Sequence, residues 1–355
     1  MSSLVGGTRI IGQDMVCGFG NGKYKTFEGT EIVAENCVKA KVKDLRVEGK
    51  TYQNLFKAEL SQGHVGNSST TYDLRVNSEG FSLEEKTYTL YINTNYQLLL
   101  YYDYVNTGSS YVSWTDKIVW TNSTKTNNIR IMVKKTDNSE ITVDEVIGKI
   151  VLLEGDYTNI DLPNSINGIE SATEKEGNVL SVKINDNTTT LNLPIPLRSL
   201  PNGTCNTIEG NKLAQRVGAV LLNGTQDMTL ANVNQTLTTR VRIRMDNAKV
   251  SKNNLICNWF IRTGAHGDYE YIIIQDSSAG ICLFISVLNT KLDTVDLNGI
   301  EKYFKENPLI VYYELATPII HDLEIPQLNT TKGTNIITTS NNIKPKLKLK
   351  VKVKK

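Results

Sequence analysis

The last residues of the chain, "KPKLKLKVKVKK" (344–355), place a lysine at nearly every second position. Side chains alternate between the two faces of a β-strand, so one face of this segment carries Leu347, Leu349, Val351 and Val353 and the other carries lysines. A helix would scatter both sets around its circumference. The period of two therefore predicts a strand with one buried face.

The segment before this strand predicts its partner. Residues 334–339 ("TNIITT") form a second β-rich run, and the polar residues 340–342 indicate a turn. We therefore predict a C-terminal β-hairpin whose apolar face packs on a sheet or on a neighbouring subunit, with the subunit preferred. Its lysines have two interpretations: protection of an exposed sheet edge against aggregation, and attraction to an anionic surface or partner.

Short runs of β-branched and aromatic residues, separated by Asn, Gly, Asp, Ser and Thr, recur along the whole chain. Examples are "KTYTLYI" (86–92), "NIRIMVKK" (128–135), "RVRIRM" (240–245) and "YEYIIIQ" (269–275). The best helix is "DLNGIEKYFKENP" (296–308), in which Asp296 is placed to cap the N-terminus. Many short strands with turns between them predict an all-β protein built of sandwich domains.

A weak internal repeat divides the chain. "IVLLEGDYT" (150–158) resembles "IVYYELATP" (310–318), and each follows an apolar strand by a similar interval. We interpret them as the closing strands of two β-sandwich modules. The predicted division is 1–53 as an N-terminal segment, 54–158 as the first module, 159–199 as a β connector, 200–318 as the second module and 319–355 as the hairpin tail.

Composition argues against several classes of protein. The formal net charge is +2, and residues 341–355 alone hold seven lysines, so the rest of the chain is net acidic and nucleic-acid binding is not indicated. The absence of a long apolar run and of a secretory signal predicts no membrane insertion. Five dispersed cysteines and three scattered histidines predict no metal site, and we expect no cofactor.

Catalytic motifs are missing. Neither HExxH nor GxSxG is present, and "EGKTY" (48–52) lacks the first glycine of a phosphate-binding loop. We therefore expect that the chain is not an enzyme. Its many carboxylates leave a glycan-degrading enzyme as the weaker alternative.

The richest aromatic stretch is "NYQLLLYYDYVNTGSSYVSWTDKIVW" (95–120), which predicts a hairpin turning at 106–110. Aromatic faces beside carboxylates and amides suit sugars, because the ring stacks on CH groups while the polar groups bind hydroxyls. The candidate ligand-binding residues are Tyr102, Tyr104, Tyr111, Trp114, Asp116 and Trp120. The alternative is that these rings build the sandwich core or its sheet surface.

Alternation also assigns faces on the first strand of this hairpin. Tyr102 and Tyr104 share a face with Leu98 and Leu100, whereas Tyr101 points to the opposite side.

Several phrases resemble, in the same order, tail and baseplate structural proteins of phages and of phage-tail-like bacteriocins from low-GC Gram-positive bacteria. They are "VKDLRVEGKTYQNL" (42–55), "GKIVLLEGDYT" (148–158), "INGIESATEKEGN" (166–178), "PLRSLPNGTCNTIEGNKLAQRVGAVLLNGTQDM" (196–228) and "NPLIVYYELATPI" (307–319). The resemblance spans about residue 40 to the C-terminus. It implies jelly-roll modules similar to carbohydrate-binding modules, on a receptor-binding-like virion protein.

The resemblance also implies partners and a location. We expect other tail subunits and a host cell-surface polysaccharide or teichoic acid as partners, and assembly as a homo-oligomer, with a trimer preferred. Residues 1–53 occupy the position where such proteins attach to the particle. The protein would be made in the host cytoplasm and reside in the virion. The alternative is a purely structural baseplate linker or capsid fibre that contacts only virion proteins.

Overall fold

The computed structural model of the chain describes sixteen stretches of sequence. They are 7–11, 15–18, 24–28, 31–34, 37–64, 73–76, 81–102, 111–123, 126–146, 148–159, 162–174, 177–231, 236–258, 269–330, 333–339 and 346–353. Within these stretches strands dominate and helices are few. The predicted all-β class is confirmed, while the jelly-roll detail stays a prediction.

The strands are numbered in chain order. They are β1 (Gly7–Ile11), β2 (Met15–Gly18), β3 (Tyr24–Glu28), β4 (Glu31–Ala34), β5 (Cys37–Glu48), β6 (Thr51–Gln53), β7 (Leu60–Gln62), β8 (Asp73–Val76), β9 (Phe81–Leu83), β10 (Thr87–Tyr91), β11 (Tyr96–Tyr101), β12 (Tyr111–Thr115), β13 (Lys117–Thr121), β14 (Thr126–Lys135), β15 (Val151–Glu154), β16 (Ile169–Ser171), β17 (Val179–Ile184), β18 (Asn187–Asn192), β19 (Thr207–Glu209), β20 (Lys212–Leu222), β21 (Thr229–Leu230), β22 (Thr238–Arg244), β23 (Ile256–Cys257), β24 (Tyr271–Ser277), β25 (Gly280–Leu288), β26 (Leu309–Asp322), β27 (Asn329–Thr330), β28 (Gly333–Thr339) and β29 (Lys346–Val353). The helices are α1 (Val143–Val146), a 3-10 turn (Asn289–Lys291) and α2 (Leu297–Glu306).

The chain divides into two compact units. The smaller is Tyr52–Ile169, and the larger joins Met1–Thr51 to Glu170–Lys355. The predicted first module, 54–158, lies inside the smaller unit. The predicted second module lies in the larger unit together with both terminal segments.

The smaller unit holds two sheets that share one core. One sheet runs β13-β10-β15, and the other runs β12-β11-β14-β8-β7, with β9 also paired to β14. Leu90 and Leu152 enter the core from the first sheet, and Leu98 and Ile131 enter it from the second. These residues come from strands of alternating or fully apolar pattern, so one face of each sheet is buried.

The internal repeat corresponds to a shared sequence of elements. In the smaller unit α1 follows β14 and leads into β15, which lies in the other sheet; in the larger unit α2 joins β25 to β26 in the same way. In both cases the closing strand pairs antiparallel with an earlier strand, β15 with β10 and β26 with β20. The repeated phrases at 150–158 and 310–318 therefore contain equivalent closing strands.

The larger unit contains three sheets of three or more strands. They run β23-β26-β20-β19-β5-β29-β3 with β27 on β5, β21-β22-β25-β24, and β18-β17-β28-β4-β1-β2. The first two share a core that includes Val311 and Ile285 and also Ile300 and Phe304 of α2. Because β5, β28 and β29 take part in these sheets, the N- and C-terminal segments are built into one unit.

Helix α2 forms where the sequence predicts it. The carboxylate of Asp296 accepts a hydrogen bond from the Gly299 amide at 2.9 Å, which caps the N-terminus. Ile300 and Phe304 are fully buried on one face. The predicted cap is confirmed.

The C-terminal strand is confirmed, but the predicted hairpin between 334–339 and 344–355 is wrong. β28 pairs with β4 and β17, not with β29. β29 lies between β5 and β3, with Leu347 opposite both Leu45 and Phe27. Alternation specifies a two-faced strand without specifying its neighbour, and an isolated hairpin is only marginally stable. A place inside a wide sheet pairs both edges of β29 between Lys346 and Lys350.

The position of β29 in the sheet limits how its alternating lysines can be interpreted. Between Lys346 and Lys350, β29 has a paired strand on each side, so protection of an open sheet edge does not explain the row there. In register, Lys350 lies opposite Lys41 and Lys352 opposite Lys39. Attraction to an anionic partner remains a hypothesis for the terminal lysines.

Candidate ligand-binding face

The structure describes the side chains of four of the six predicted ligand-binding residues. Tyr102 ends the stretch that contains β11 and is 36% exposed. Tyr111 begins β12, with its side chain outside the described part of the chain, and Tyr104 lies outside the described residues altogether. Trp114 and Asp116 are half-buried.

Trp120, the sixth residue, belongs to the core. It is 9% exposed and lies in the same cluster as Leu90 and Leu98. Its ring contacts Tyr88, its partner across the β10–β13 pair, with ring centroids 5.6 Å apart. Trp120 therefore stabilises the fold, and we leave it out of the candidate site.

Asp116 has a local structural role. It occupies the turn between β12 and β13, where its backbone carbonyl accepts a hydrogen bond from the Ile92 amide at 2.9 Å. The Thr115 hydroxyl is 3.4 Å from its carboxylate. These contacts shape the turn, and they do not bring Asp116 to the other polar groups of the site.

Trp114 lies on the face of the β11–β14 sheet that points away from the core, here called the outer face. Leu99 and Met132 form a buried apolar floor there, 6% and 0% exposed. Tyr101 and Trp114 pack against this floor and are each half-buried. We call these four residues the aromatic face. It offers two rings to solvent over a rigid base.

Basic side chains surround the aromatic face. The ammonium of Lys134 lies 4.7 Å from the centroid of the Trp114 ring and donates to the Asn138 side chain at 2.9 Å. Arg130 is the cross-strand partner of Tyr101, and Arg75 that of Met132. Direct cross-strand partners share a sheet face, so both arginines belong to this side. The arrangement combines flat rings with cationic hydrogen-bond donors.

A second aromatic cluster in the smaller unit is buried in the protein. Tyr52 and Tyr91 are buried with Ile166, and Tyr157 packs against them. The Tyr91 hydroxyl donates to the Pro163 carbonyl at 2.8 Å, and burial raises the pKa of Tyr52 to about 12. These rings have the polar partners and the cover expected of core tyrosines.

Sequence reasoning missed Tyr101, Leu99 and Met132. The alternation placed Tyr101 correctly on the face of β11 opposite Leu98 and Leu100. The candidate ligand-binding residues of this strand, however, were chosen from the face assigned to Tyr102. Leu98 and Leu100 are fully buried, so their face is the core face. The consecutive Leu98, Leu99 and Leu100 hid this, because an apolar run does not tell which face meets water.

Two features are absent from the part of the chain that the structure describes. No group of three or more histidine, cysteine, aspartate or glutamate side chains is arranged there to hold a metal ion. None of the helices in those stretches has the length and apolar character needed to cross a membrane.

Comparison with protein-family models, with curated proteins and with solved structures gives no match. The phrases quoted above therefore remain a resemblance.

Proposed function

We propose that the chain is a non-enzymatic structural and adhesive protein of a phage-like tail tip or baseplate, and that it binds a cell-surface saccharide through the aromatic face. The observation that carries the binding part is the position of Tyr101 and Trp114 on an outer sheet face, half-buried over an apolar floor. The tail assignment rests on the resemblance of the quoted phrases.

The chemistry of the aromatic face suits a saccharide. A pyranose ring has apolar CH surfaces that stack on indole and phenol rings, and hydroxyls that need donors and acceptors at the rim. Lys134 supplies a donor beside the Trp114 ring, and a cationic donor of this kind also binds the carboxylate or phosphate of an acidic surface polymer. The buried floor of Leu99 and Met132 holds the rings in place, so little ordering is needed on binding.

A second candidate is a structural linker that contacts only other particle proteins. The pairing of both terminal segments in one unit favours it: β29 pairs with β3 and β5, and β28 pairs with β4. Such an interleaved unit offers a firm base for attachment. Binding to host polysaccharide separates the two candidates, because a linker needs none.

We further propose assembly as a homo-oligomer, with a trimer preferred. The support is the resemblance to tail proteins, which are often threefold. Sedimentation of the full-length chain at micromolar concentration tests this against a monomer mass of 39.6 kDa. A species of three chains is expected, and a persistent monomer contradicts assembly in the absence of the particle.

Isothermal titration with cell-wall polysaccharide from a low-GC Gram-positive bacterium tests the binding site. The variant Trp114→Ala removes the ring, and Trp114→Phe keeps a stacking surface. One aromatic contact contributes about 0.5–1.5 kcal/mol, so the alanine variant should bind about 2–10-fold more weakly and the phenylalanine variant nearly as well as wild type. Equal affinities for all three proteins would remove Trp114 from the site.

A further inference from the structure

The ammonium of Lys134 covers the Trp114 ring in the aromatic face. Its nitrogen lies over the ring, 4.7 Å from the ring centroid, which is within the range of a cation–π contact. Both residues are partly exposed, and Asn138, to which Lys134 donates a hydrogen bond, is exposed. The contact therefore lies at the solvent boundary, and a ligand that stacks on this side of the ring meets the ammonium.

Asn138 holds the ammonium in this position. It lies in the turn after β14, where its amide donates to the Lys135 carbonyl at 3.1 Å. Its φ of 56° falls in the left-handed region, which asparagine tolerates better than most residues. Its side-chain oxygen accepts from Lys134 at 2.9 Å. The Trp114 ring and the turn thus fix the ammonium from two sides.

The acid opposite Lys134 pairs with another residue. Asp73 is the cross-strand partner of Lys134, but its carboxylate lies 3.0 Å from Nδ1 of His64. No ion pair to Lys134 occurs in the part of the chain that the structure describes. The positive charge of Lys134 is therefore left for an anion of the ligand.

The outer face as a whole is also basic. Among the described strands of this sheet, the charged residues on that face are Lys134, Arg130, Arg75 and Asp73. Only one of them is an acid, and its carboxylate is the one paired with His64. The excess of positive charge favours an anionic ligand over a neutral one, most strongly at low salt.

A neutral sugar and an acidic sugar meet this arrangement differently. A neutral sugar stacks on the covered side of Trp114 only after the ammonium has moved away, so it loses the cation–π contact. An acidic sugar places its carboxylate or phosphate on the ammonium, and this charge-assisted hydrogen bond replaces the one to Asn138. The same side chain therefore opposes the first ligand and assists the second.

We propose that Lys134 makes the aromatic face selective for a saccharide that carries an oxyanion, with the sugar ring on Trp114 and the carboxylate or phosphate on the Lys134 ammonium. Asn138 is a positioning residue, which holds the ammonium over the ring before the ligand arrives. This inference rests on the proposed function, because it names the chemical class of ligand for the same face.

Matched probes test the selectivity by titration calorimetry of the full-length protein. They are a glucose oligosaccharide, the same oligosaccharide phosphorylated on its primary hydroxyls, and the corresponding glucuronate oligosaccharide. The two acidic probes should bind about fivefold or more tightly than the neutral probe at low salt. A preference for one acidic probe over the other identifies phosphate or carboxylate as the source of the oxyanion.

Matched variants assign the selectivity to Lys134. Lys134→Gln removes the ammonium, so the acidic probes should bind about fivefold more weakly and the neutral probe about 2–5-fold more tightly to the uncovered ring. Lys134→Arg keeps the charge and should keep the preference. Lys86→Gln removes the same charge beside β10 of the other sheet, where Lys86 pairs with Glu154, and should change each affinity less than about twofold.

The control variant also shows what would contradict the assignment. If Lys134→Gln and Lys86→Gln weaken binding of the acidic probes equally, the preference depends on net charge, and the role of Lys134 is wrong.

Salt gives a readout that needs no variant. Raising sodium chloride from about 50 mM to about 500 mM shortens the Debye length about threefold. The affinity of the wild-type protein for the acidic probes should fall, while its affinity for the neutral probe should stay the same. Equal salt dependence of acidic and neutral probes contradicts an oxyanion on Lys134, including the case in which Lys134→Gln fails to fold.

Trp114→Ala separates failure of this inference from failure of the proposed function. If all probes bind the wild-type protein equally and Trp114→Ala weakens them all, the aromatic face binds saccharide without selectivity, and only the role of Lys134 is overturned. If no probe binds, this inference is overturned, and the cell-wall titration alone decides the proposed function. If the probes bind and Trp114→Ala leaves every affinity unchanged, both proposals are wrong.

Discussion

The outer sheet faces of the two units differ although their element order repeats. In the smaller unit, Tyr101 and Trp114 are partly buried over an apolar floor, and the nearby Lys134 already has partners. In the larger unit the rings of Tyr271 and Phe284 are buried, and Nε and Nη2 of Arg240 have no hydrogen-bond partner among the residues that the structure describes. A repeated framework thus carries one partly exposed aromatic face and one buried face that encloses an arginine.

This difference indicates that the shared framework and the outward sheet faces are determined by different residues. The strand–helix–strand order, the β10–β15 and β20–β26 pairings and the shared cores depend on residues that point inward. The outward positions of the same strands belong to separate clusters, so a change there need not disturb those cores. The following predictions test this separation.

The largest effect is expected from the core tryptophan. Trp120→Ala removes a ring packed on Tyr88 and should lower the free energy of unfolding by about 3–5 kcal/mol. Trp114→Ala, on the outer face, should cost less than about 2 kcal/mol because that residue is only partly buried. Denaturant unfolding of both variants measures this, and equal losses would break the distinction between core and outer face.

Buried asparagines should show the second-largest effect, and similarly in both units. The Asn54 side chain donates to the carbonyls of Ile150 and Ile166 and accepts from the amides of Phe56 and Leu152, at 2.9–3.0 Å. In the larger unit, the fully buried amide of Asn206 also bonds backbone groups on both its oxygen and its nitrogen.

Alanine at either asparagine leaves buried backbone groups without partners. We expect each variant, Asn54→Ala and Asn206→Ala, to lose about 2–3 kcal/mol of unfolding free energy. Chemical denaturation with fluorescence detection measures both. A loss at one position and none at the other would show that the two frameworks are not held in the same way.

A smaller effect is expected at the helix that joins the two sheets in each unit. The Gly299 amide donates to the Asp296 carboxylate, and the Thr142 amide donates to the Glu145 carboxylate. These hydrogen bonds hold the pKa of each carboxyl below its ordinary value, which is 3.8 for Asp296 and 4.5 for Glu145. A depressed native pKa means that the stabilisation is complete above the unfolded pKa and is lost as pH falls through the native pKa. Both caps should therefore weaken only in acid.

Asparagine at position 296 separates the two caps. Asp296→Asn keeps the side-chain acceptor and removes the charge, so stability near neutral pH should fall slightly, by about 2–4 °C in melting temperature. The loss of stability in acid that is due to Asp296 should disappear, while the loss of stability due to Glu145 should persist. Melting curves between pH 2 and pH 7 measure this, and an unchanged pH profile would contradict the cap assignment.

Sequence patterns predicted the strands and helices better than they predicted which strands pair. The alternation in 344–355 predicted β29, and the spacing around Asp296 predicted α2 with its cap, because both signals are local. The partner of β29 was wrong because pairing depends on distant segments, here β3 and β5. No local pattern of β28 and β29 distinguishes a hairpin from insertion into a wider sheet.

The aromatic residues and Arg240 show the same limit. The aromatic stretch 95–120 was found from composition, but burial decided which rings are available, since Trp120 lies in the core and Tyr101 on the outer face. Arg240 gave no signal at all, because "RVRIR" has the alternation of a strand with solvated arginines. Its burial follows from the packing of the β22–β25–β24 sheet, which sequence alone does not give.

Two adjacent tyrosines test the central claim, that ligand binding belongs to the outer face of the β11–β14 sheet. Tyr101 lies on that face with Trp114, whereas Tyr102 follows it in the chain beyond the end of β11 and is not part of the aromatic face. Titration of cell-wall polysaccharide into Tyr101→Ala and Tyr102→Ala compares a residue of the aromatic face with its neighbour by the same chemical change. The account predicts that Tyr101→Ala weakens binding about 2–10-fold and that Tyr102→Ala binds like wild type. Loss of binding by Tyr102→Ala with full binding by Tyr101→Ala would contradict it.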